Sequence, residues 1–252
     1  MAPRLHVDTT MRAPFDRLPL TGILASACLL PLQACSMSYR AEPIEAWVVD
    51  SDSGRPVEGT IVTANWELEE GTPGGNRPAG QLMIMETVTD GKGRFYFPAW
   101  GPKSTPLAVP GPFSSAPHLV NLDPQILMFK PGYKWVALAN YPVTDYNKSS
   151  VRKSEWNGKT IKIERFKGSP AEYAKHLRFL SGSLDFALSP DLHPDPCDLK
   201  KVARMAVAIH LQGKDFERLG IPNQLLSLDY YLIDPRYKDE CGVRDALRKL
   251  LP

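Results

Sequence analysis

The chain has 252 residues, 30 basic and 28 acidic side chains and a formal net charge of +2. That balance carries no clustered basic stripe and excludes nucleic acid as the natural partner, because phosphate recognition needs a concentrated cationic face. The length suits one large domain or two small ones, and 24 prolines predict many turns.

An apolar run from Leu18 to Leu30 follows the basic residues Arg12 and Arg17. Pro19 and Pro31 break it, and it is too short for a spanning helix, which needs about 20 apolar residues, so it reads as a signal peptide. Met11 opens a more typical signal than Met1, since the first ten residues add Asp8 and no apolar core. Directly behind the run, Leu32-Gln33-Ala34-Cys35 resembles the lipobox of bacterial lipoproteins, with an aliphatic residue three positions before a cysteine and a small one just before it. The resemblance implies cleavage before Cys35, acylation of that cysteine and membrane attachment through lipid. Ala25-Ser26-Ala27-Cys28 is the rival site, with Ala where the aliphatic residue belongs. Ser36 rather than Asp after the cysteine implies, by the same resemblance, the outer membrane facing the periplasm. The expected layout is a signal peptide over 1–34, a tether over 35–42, a β-rich domain over 43–167 and a helical unit over 168–252.

Short apolar or alternating runs separated by Gly, Pro, Asp and Asn occupy Ile44 to Arg165, the signature of a β-sandwich of about seven strands. The strands are expected at Ile44 to Val49, Thr60 to Leu68, Gln81 to Thr89, Arg94 to Pro98, Ile126 to Lys130, Lys134 to Asn140 and Lys159 to Arg165. In the second, Val62, Ala64, Trp66 and Leu68 share the face that should be core, and Thr63, Asn65 and Glu67 share the other. Asp50-Ser51-Asp52-Ser53-Gly54-Arg55-Pro56-Val57 and Thr89-Asp90-Gly91-Lys92-Gly93-Arg94-Phe95 read as tight reversals. With Lys130-Pro131-Gly132-Tyr133, their order resembles the carboxypeptidase regulatory-like domain over residues 41 to 166, and the resemblance implies a prealbumin-like sandwich. Glu69 to Gly80 and Gly101 to Asp123 stand out as long insertions rich in Gly and Pro.

Past Gly168 the period becomes helical. Ser169-Pro170-Ala171-Glu172 is a capping box with proline at the first helical position, and Tyr173, Leu177, Leu180 and Leu184 follow as the inward stripe. Asp195-Pro196 repeats the signal ahead of Val202, Met205, Ala206 and Ile209. A short helix is expected after Asn223, and a last one from about Asp239 with Val243, Ala246, Leu247, Leu250 and Leu251 on one side. Discarding Cys28 and acylating Cys35 leaves Cys197 and Cys241 as an even pair, which an oxidising envelope lets join. The bond would stabilise the fold by about 4 kcal/mol on the chain-entropy account, and the alternative is two separate buried thiols.

Site signals are sparse. Asp185, Asp191, His193, Asp195 and Asp198 form the densest polar constellation, with Asp191, His193 and Asp195 as weak metal ligands. However, Pro190, Pro194 and Pro196 interrupt it, and its spacing matches no zinc or calcium loop. Trp100, in a loop opening, is the expected exposed aromatic for stacking on a glycan. Tyr230 and Tyr231, beside Leu228 and Leu232, share the ambiguity between core and surface. There is no nucleophile elbow, zincin helix or phosphate-cradling glycine loop, and His176 and His210 lie singly on helices. The expectation is therefore a non-enzymatic, cofactor-free binding or scaffolding module with an envelope protein as partner. The alternatives are a carbohydrate- or cell-wall-binding lipoprotein and a metal-dependent hydrolase.

Overall fold

A computed structural model describes residues 36–107, 115–120, 123–140, 149–188 and 197–252. From Ala34 to Pro252 the chain clusters as one compact unit. Residues 1–35, where the signal peptide, Cys28 and Cys35 are expected, lie outside the described residues, as do Asp191, His193 and the expected cap at Asp195-Pro196.

Eleven strands are described: β1 (Ser38–Ala41), β2 (Ile44–Asp50), β3 (Ile61–Thr72), β4 (Gly75–Val88), β5 (Arg94–Phe97), β6 (Trp100–Ser104), β7 (His118–Leu119), β8 (Gln125–Phe129), β9 (Val136–Leu138), β10 (Val151–Arg152) and β11 (Thr160–Ile163). They form three sheets, ordered β10-β1-β6, β11-β2-β5 and β4-β3-β8-β9, with β7 added to β3. Each of the seven expected strands has an observed counterpart. Those not anticipated, β1, β6, β7 and β10, are two to five residues long, too short for period-2 alternation to register.

Both insertions contain strand. Glu69 to Gly80 is the outer part of the β3–β4 hairpin, paired residue by residue from Glu69↔Pro78 to Thr72↔Gly75. The second insertion returns to it, with Leu119 opposite Leu68 and His118 opposite Glu69. Pairing fixed by register, not local propensity, turns this Gly- and Pro-rich sequence into strand.

Strand β3 sets the packing. Val62, Ala64, Trp66 and Leu68 are buried in an apolar cluster with Ala46 and Val48 of β2, Phe95 and Phe97 of β5, Ile126 and Met128 of β8, and Ile161 and Ile163 of β11. The opposite face is covered as well: Thr63 and Asn65 are buried. On that side lie the helices α1 (Pro170–Leu177), α2 (Asp185–Leu188), α3 (Asp198–Lys201), α4 (Ala203–Arg218), α5 (Asp229–Ile233) and α6 (Val243–Arg248). Leu127 and Phe129 of β8 join Tyr173, Leu177, Leu180, Leu184, Met205 and Ile209 in a second cluster. Ile84 of β4 joins Val202, Ala206, Leu228, Val243 and Leu247 in a third. The helical stripes thus face inward at the expected positions, and the change from strand to helix near 168 does not interrupt the core.

Turns and helix ends are closed by side chains. Asp50 Oδ1 accepts from the Ser53 amide and hydroxyl at 2.9 Å, while Asp90 Oδ1 accepts from the Lys92 and Arg94 amides at 2.9 Å. Within the second reversal Gly93 sits at φ 71°, where a Cβ would stand 2.3 Å from the Val48 carbonyl oxygen, so glycine is required on both counts. The capping box at Ser169 and Glu172 forms as expected. Helix α4 has no side-chain cap of its own. Its first amides donate instead to Glu86 of β4, Arg204 to Oε1 at 3.0 Å and Met205 to Oε2 at 2.8 Å. For α6, Asp239 accepts from the Val243 and Arg244 amides at 2.6 and 3.1 Å.

Cys197, beside α3, is bonded to Cys241, beside α6, with a Cα separation of 5.4 Å. Asp123 and Arg152 are buried as an ion pair, Nε to Oδ2 at 3.7 Å, with the guanidinium 5.0 Å from the Tyr39 ring. Asn140 Nδ2 donates to the Asp123 carbonyl at 2.6 Å. Burial raises the Asp123 carboxyl to about 7, with Arg152 opposing the rise.

Two outcomes follow from these buried carboxyls. Glu86→Ala leaves the first amides of α4 unmet and should cost about 1–3 kcal/mol in denaturant unfolding, with Glu86→Gln losing less because one acceptor remains. For Asp123 the folded-state pKa lies above the ordinary 3.8, so the folded chain binds the extra proton and stability declines as pH rises from the ordinary carboxylate range to about 7. Thermal unfolding across that range should show the wild type losing ground to Asp123→Asn as pH increases.

Candidate binding surface

The expected glycan-stacking residue is not at the surface. Trp100 is 7% exposed, pairs opposite Ala41 at the start of β6 and meets Trp66 edge-to-face with ring centroids 5.4 Å apart. What reads as a loop opening is a strand whose first residue turns inward, and a large aromatic gains most from that burial. Of the acidic constellation, Asp185 is exposed, while Asp198 is buried with Lys201 Nζ 2.7 Å away. No group of three or more potential metal ligands occurs among the described residues. His210 is buried, and its Nδ1 accepts from the Leu228 amide at 3.1 Å. Burial lowers its pKa, so it serves as a neutral structural acceptor.

Tyr96 and Phe179 are exposed singly, and a clustered aromatic surface lies on and after α5. Leu228 and Leu232 are buried, four residues apart, while Tyr230 and Ile233, three apart, are 49% and 76% exposed on the other side. Tyr230, Tyr231 and Tyr237 meet edge-to-face in a closed trio, with centroids 5.3, 5.6 and 5.1 Å apart. Arg244 of α6 organises the segment from beneath. Its Nε donates to the Tyr231 carbonyl at 2.9 Å, its Nη2 donates to the Asp234 carbonyl at 3.1 Å, and its guanidinium lies 5.5 Å from the Tyr237 ring. Arg248 Nη2 adds a bond to the Leu232 carbonyl at 3.1 Å.

The rim is charged on both signs. Arg236 grips Asp234 with Nε at 3.0 Å and Nη2 at 2.6 Å, and those bonds hold the Asp234 carboxyl down at about 2. Lys214 Nζ reaches Asp229 at 3.2 Å. Burial pushes the Tyr237 hydroxyl up to about 12, so all around neutral pH it stays protonated. Tyr230, Ile233, Pro235 and Arg236, with Asp229 and Asp234, line an open depression of about 680 Å³. Such an arrangement is chemically suited to contact recognition: tyrosines offer area at low entropic cost, and a paired guanidinium and carboxylates offer direction.

Sequence reasoning named Tyr230 and Tyr231 but missed Ile233, Arg236, Tyr237 and Arg244. The signal was the spacing of Leu228 and Leu232, which leaves Tyr230 and Ile233 on the outer face of one helical turn.

No protein-family model and no curated protein matches the chain. Among solved structures it is similar to 3-chlorocatechol 1,2-dioxygenase from Rhodococcus opacus, at 10% identity and a TM-score of 0.28 over 51% of this chain and 61% of that one. Catechol 1,2-dioxygenase from Acinetobacter radioresistens follows at 14% and 0.25, over 52% and 53% of the two chains. Chlorocatechol 1,2-dioxygenase from Pseudomonas putida stands at 14% and 0.25, over 52% and 61%. The chain therefore spans only 53–61% of the length of these structures. At such scores the likeness transfers neither fold nor chemistry.

Arg244→Ala should loosen the segment without unfolding the sheets. Hydrogen exchange should quicken in residues 230–238 while protection of β3 and β8 persists.

Proposed function

We propose that this chain is a lipid-anchored cell-envelope protein, held through Cys35, which works as a non-enzymatic binding module for a protein partner. The tyrosine surface carries the reading. Its exposed residues, Tyr230, Ile233 and Arg236, are of types that anchor protein contacts or flank them, and Arg244 holds the backbone beneath them in one arrangement before any partner arrives. A glycan reading rested on Trp100, and that ring is occupied by Trp66.

The lipobox-like Leu32 to Cys35 segment supports the anchor, and Ser36 supports placement at the outer membrane facing the periplasm. For the architecture, a prealbumin-like sandwich of the carboxypeptidase regulatory-like kind is supported by Asp50. Two of the segments that carry that resemblance meet at it, the Ser53 turn on Oδ1 and the Tyr133 hydroxyl on Oδ2 at 3.2 Å, and Arg165 Nε of the last expected strand joins Oδ2 at 2.9 Å. The apolar cluster shared by β2, β5 and β11 with β3 and β8 supports two facing β layers.

The test separates anchor from contact. Cys35→Ala should abolish the acyl mass on the amino-terminal peptide and release the protein from the membrane fraction. A photo-crosslinker at Tyr230 or Ile233 should capture one reproducible envelope protein, and the pair Tyr230→Ala with Ile233→Ser should lose it with thermal stability unchanged. Retention on purified cell-wall glycan by the wild type but not by that pair would replace the protein reading with the carbohydrate one.

A further inference from the structure

The first described residues are pinned to the fold at once. The Met37 amide donates to Thr105 Oγ1 at 3.2 Å, and its carbonyl accepts from the Thr105 amide at 2.8 Å. The Arg40 and Glu42 amides donate to the Ser150 and Arg152 carbonyls at 2.9 Å, so β1 is held by β6 on one side and β10 on the other. Tyr39 and Ala41 belong to the core. Residues 37–42, within the segment expected as a tether, are thus built into the sheet. Cys35 stands two residues before Met37, and two peptide units reach at most about 7 Å. An acyl chain on Cys35 would therefore hold the entry of β1 against the lipid surface with almost no slack between them.

Because β6 runs antiparallel to β1, its exit lies beside that entry. Exposed apolar side chains stand on both: Met37 is 42% and Leu107 59% exposed. One exposed aliphatic is ordinary, but these two flank the point where the chain enters the fold. Arg40 and Lys103 are exposed farther back, on β1 and β6, with Arg40 about 10 Å along the strand from Met37. Residues 36–41 and 100–107 contain no acidic side chain. An apolar tip with long cations behind it matches the layering of a phospholipid surface, where the acyl boundary lies beneath the phosphates.

We propose that the entry of β1 and the exit of β6 are seated directly on an anionic phospholipid surface, with Met37 and Leu107 in its interface and Arg40 and Lys103 on its phosphates. The inference rests on the anchor at Cys35 proposed above. It adds that the anchor fixes which end of the domain meets the membrane, because a cysteine joined to a strand by so short a span cannot let the domain tumble.

The experiment reconstitutes the acylated protein, purified from membranes, in vesicles of phosphatidylcholine and phosphatidylglycerol with a phospholipid bearing a diazirine near its glycerol end, and maps lipid adducts by peptide mass. Adducts are expected on the segments carrying Met37 and Leu107, and not around the Glu42–Lys153 ion pair at the other end of β1. Met37→Asp with Leu107→Asp, both at exposed positions, should lower the adducts near residue 107 by about fivefold or more, with acyl mass and melting temperature kept. Adducts spread evenly over both ends of β1, or unchanged in the double variant, overturn the seating while the anchor stands. Absence of acyl mass on the amino-terminal peptide removes the anchor itself, and the seating with it.

Discussion

Strand β3 is buried on both faces, and the rest of the architecture answers that constraint. An antiparallel strand ordinarily shows one face to water. Here Val62, Ala64, Trp66 and Leu68 go one way into an all-β cluster, and Thr63 and Asn65 go the other way beneath helices. Once both faces are covered, register is strongly fixed, because a one-residue slip would drive Trp66 into the helical side and Asn65 into the apolar cluster. The same double burial brings the side chains of Thr63 and Asn65 under the helices, beside a cavity that they help to line.

Covering the second face takes more than apolar stripes. Helix α4 is sixteen residues long, and its amino-terminal end meets β4 without a side-chain cap of its own. Glu86 meets its first amides from β4, close to where Thr63 pairs across the strands, so the carboxylate both caps the helix and fixes its position on the sheet. Burial raises the pKa of Glu86, and the two amides that favour its charge oppose that rise in part. Farther out, the disulfide joins the approaches to α3 and α6, and Arg244 from α6 then sets the backbone of the tyrosine segment. A chain of contacts thus runs from the buried sheet to the exposed rings, each link made by residues distant in sequence.

The seven longer strands and the helical stripes were legible because each element repeats its apolar pattern over enough residues to show a period. The capping box at Ser169 and the Asx reversals at Asp50 and Asp90 were legible because their chemistry closes within three or four residues. Trp100 was misjudged for the converse reason. A residue beginning a five-residue strand has no flanking alternation to reveal its direction, and its inward turn depends on β1 and on Trp66. The Gly- and Pro-rich arm after Glu69 looked like loop because its strand character resides in pairing with β4 and β7.

By itself, the sequence determined the local facts: which face of each longer strand and helix is apolar, and where the tight turns fall. Those follow from interactions spanning a few residues, which any chain carrying them would make. Only the tertiary structure decided that the polar face of β3 would be roofed by helices, that a strand carboxylate would cap α4, that Trp100 would be core and that Tyr230 and Ile233 would stand outside. Each of these depends on which surfaces meet, and that is set by the joint burial of elements far apart in the chain, not by the residues flanking any one of them.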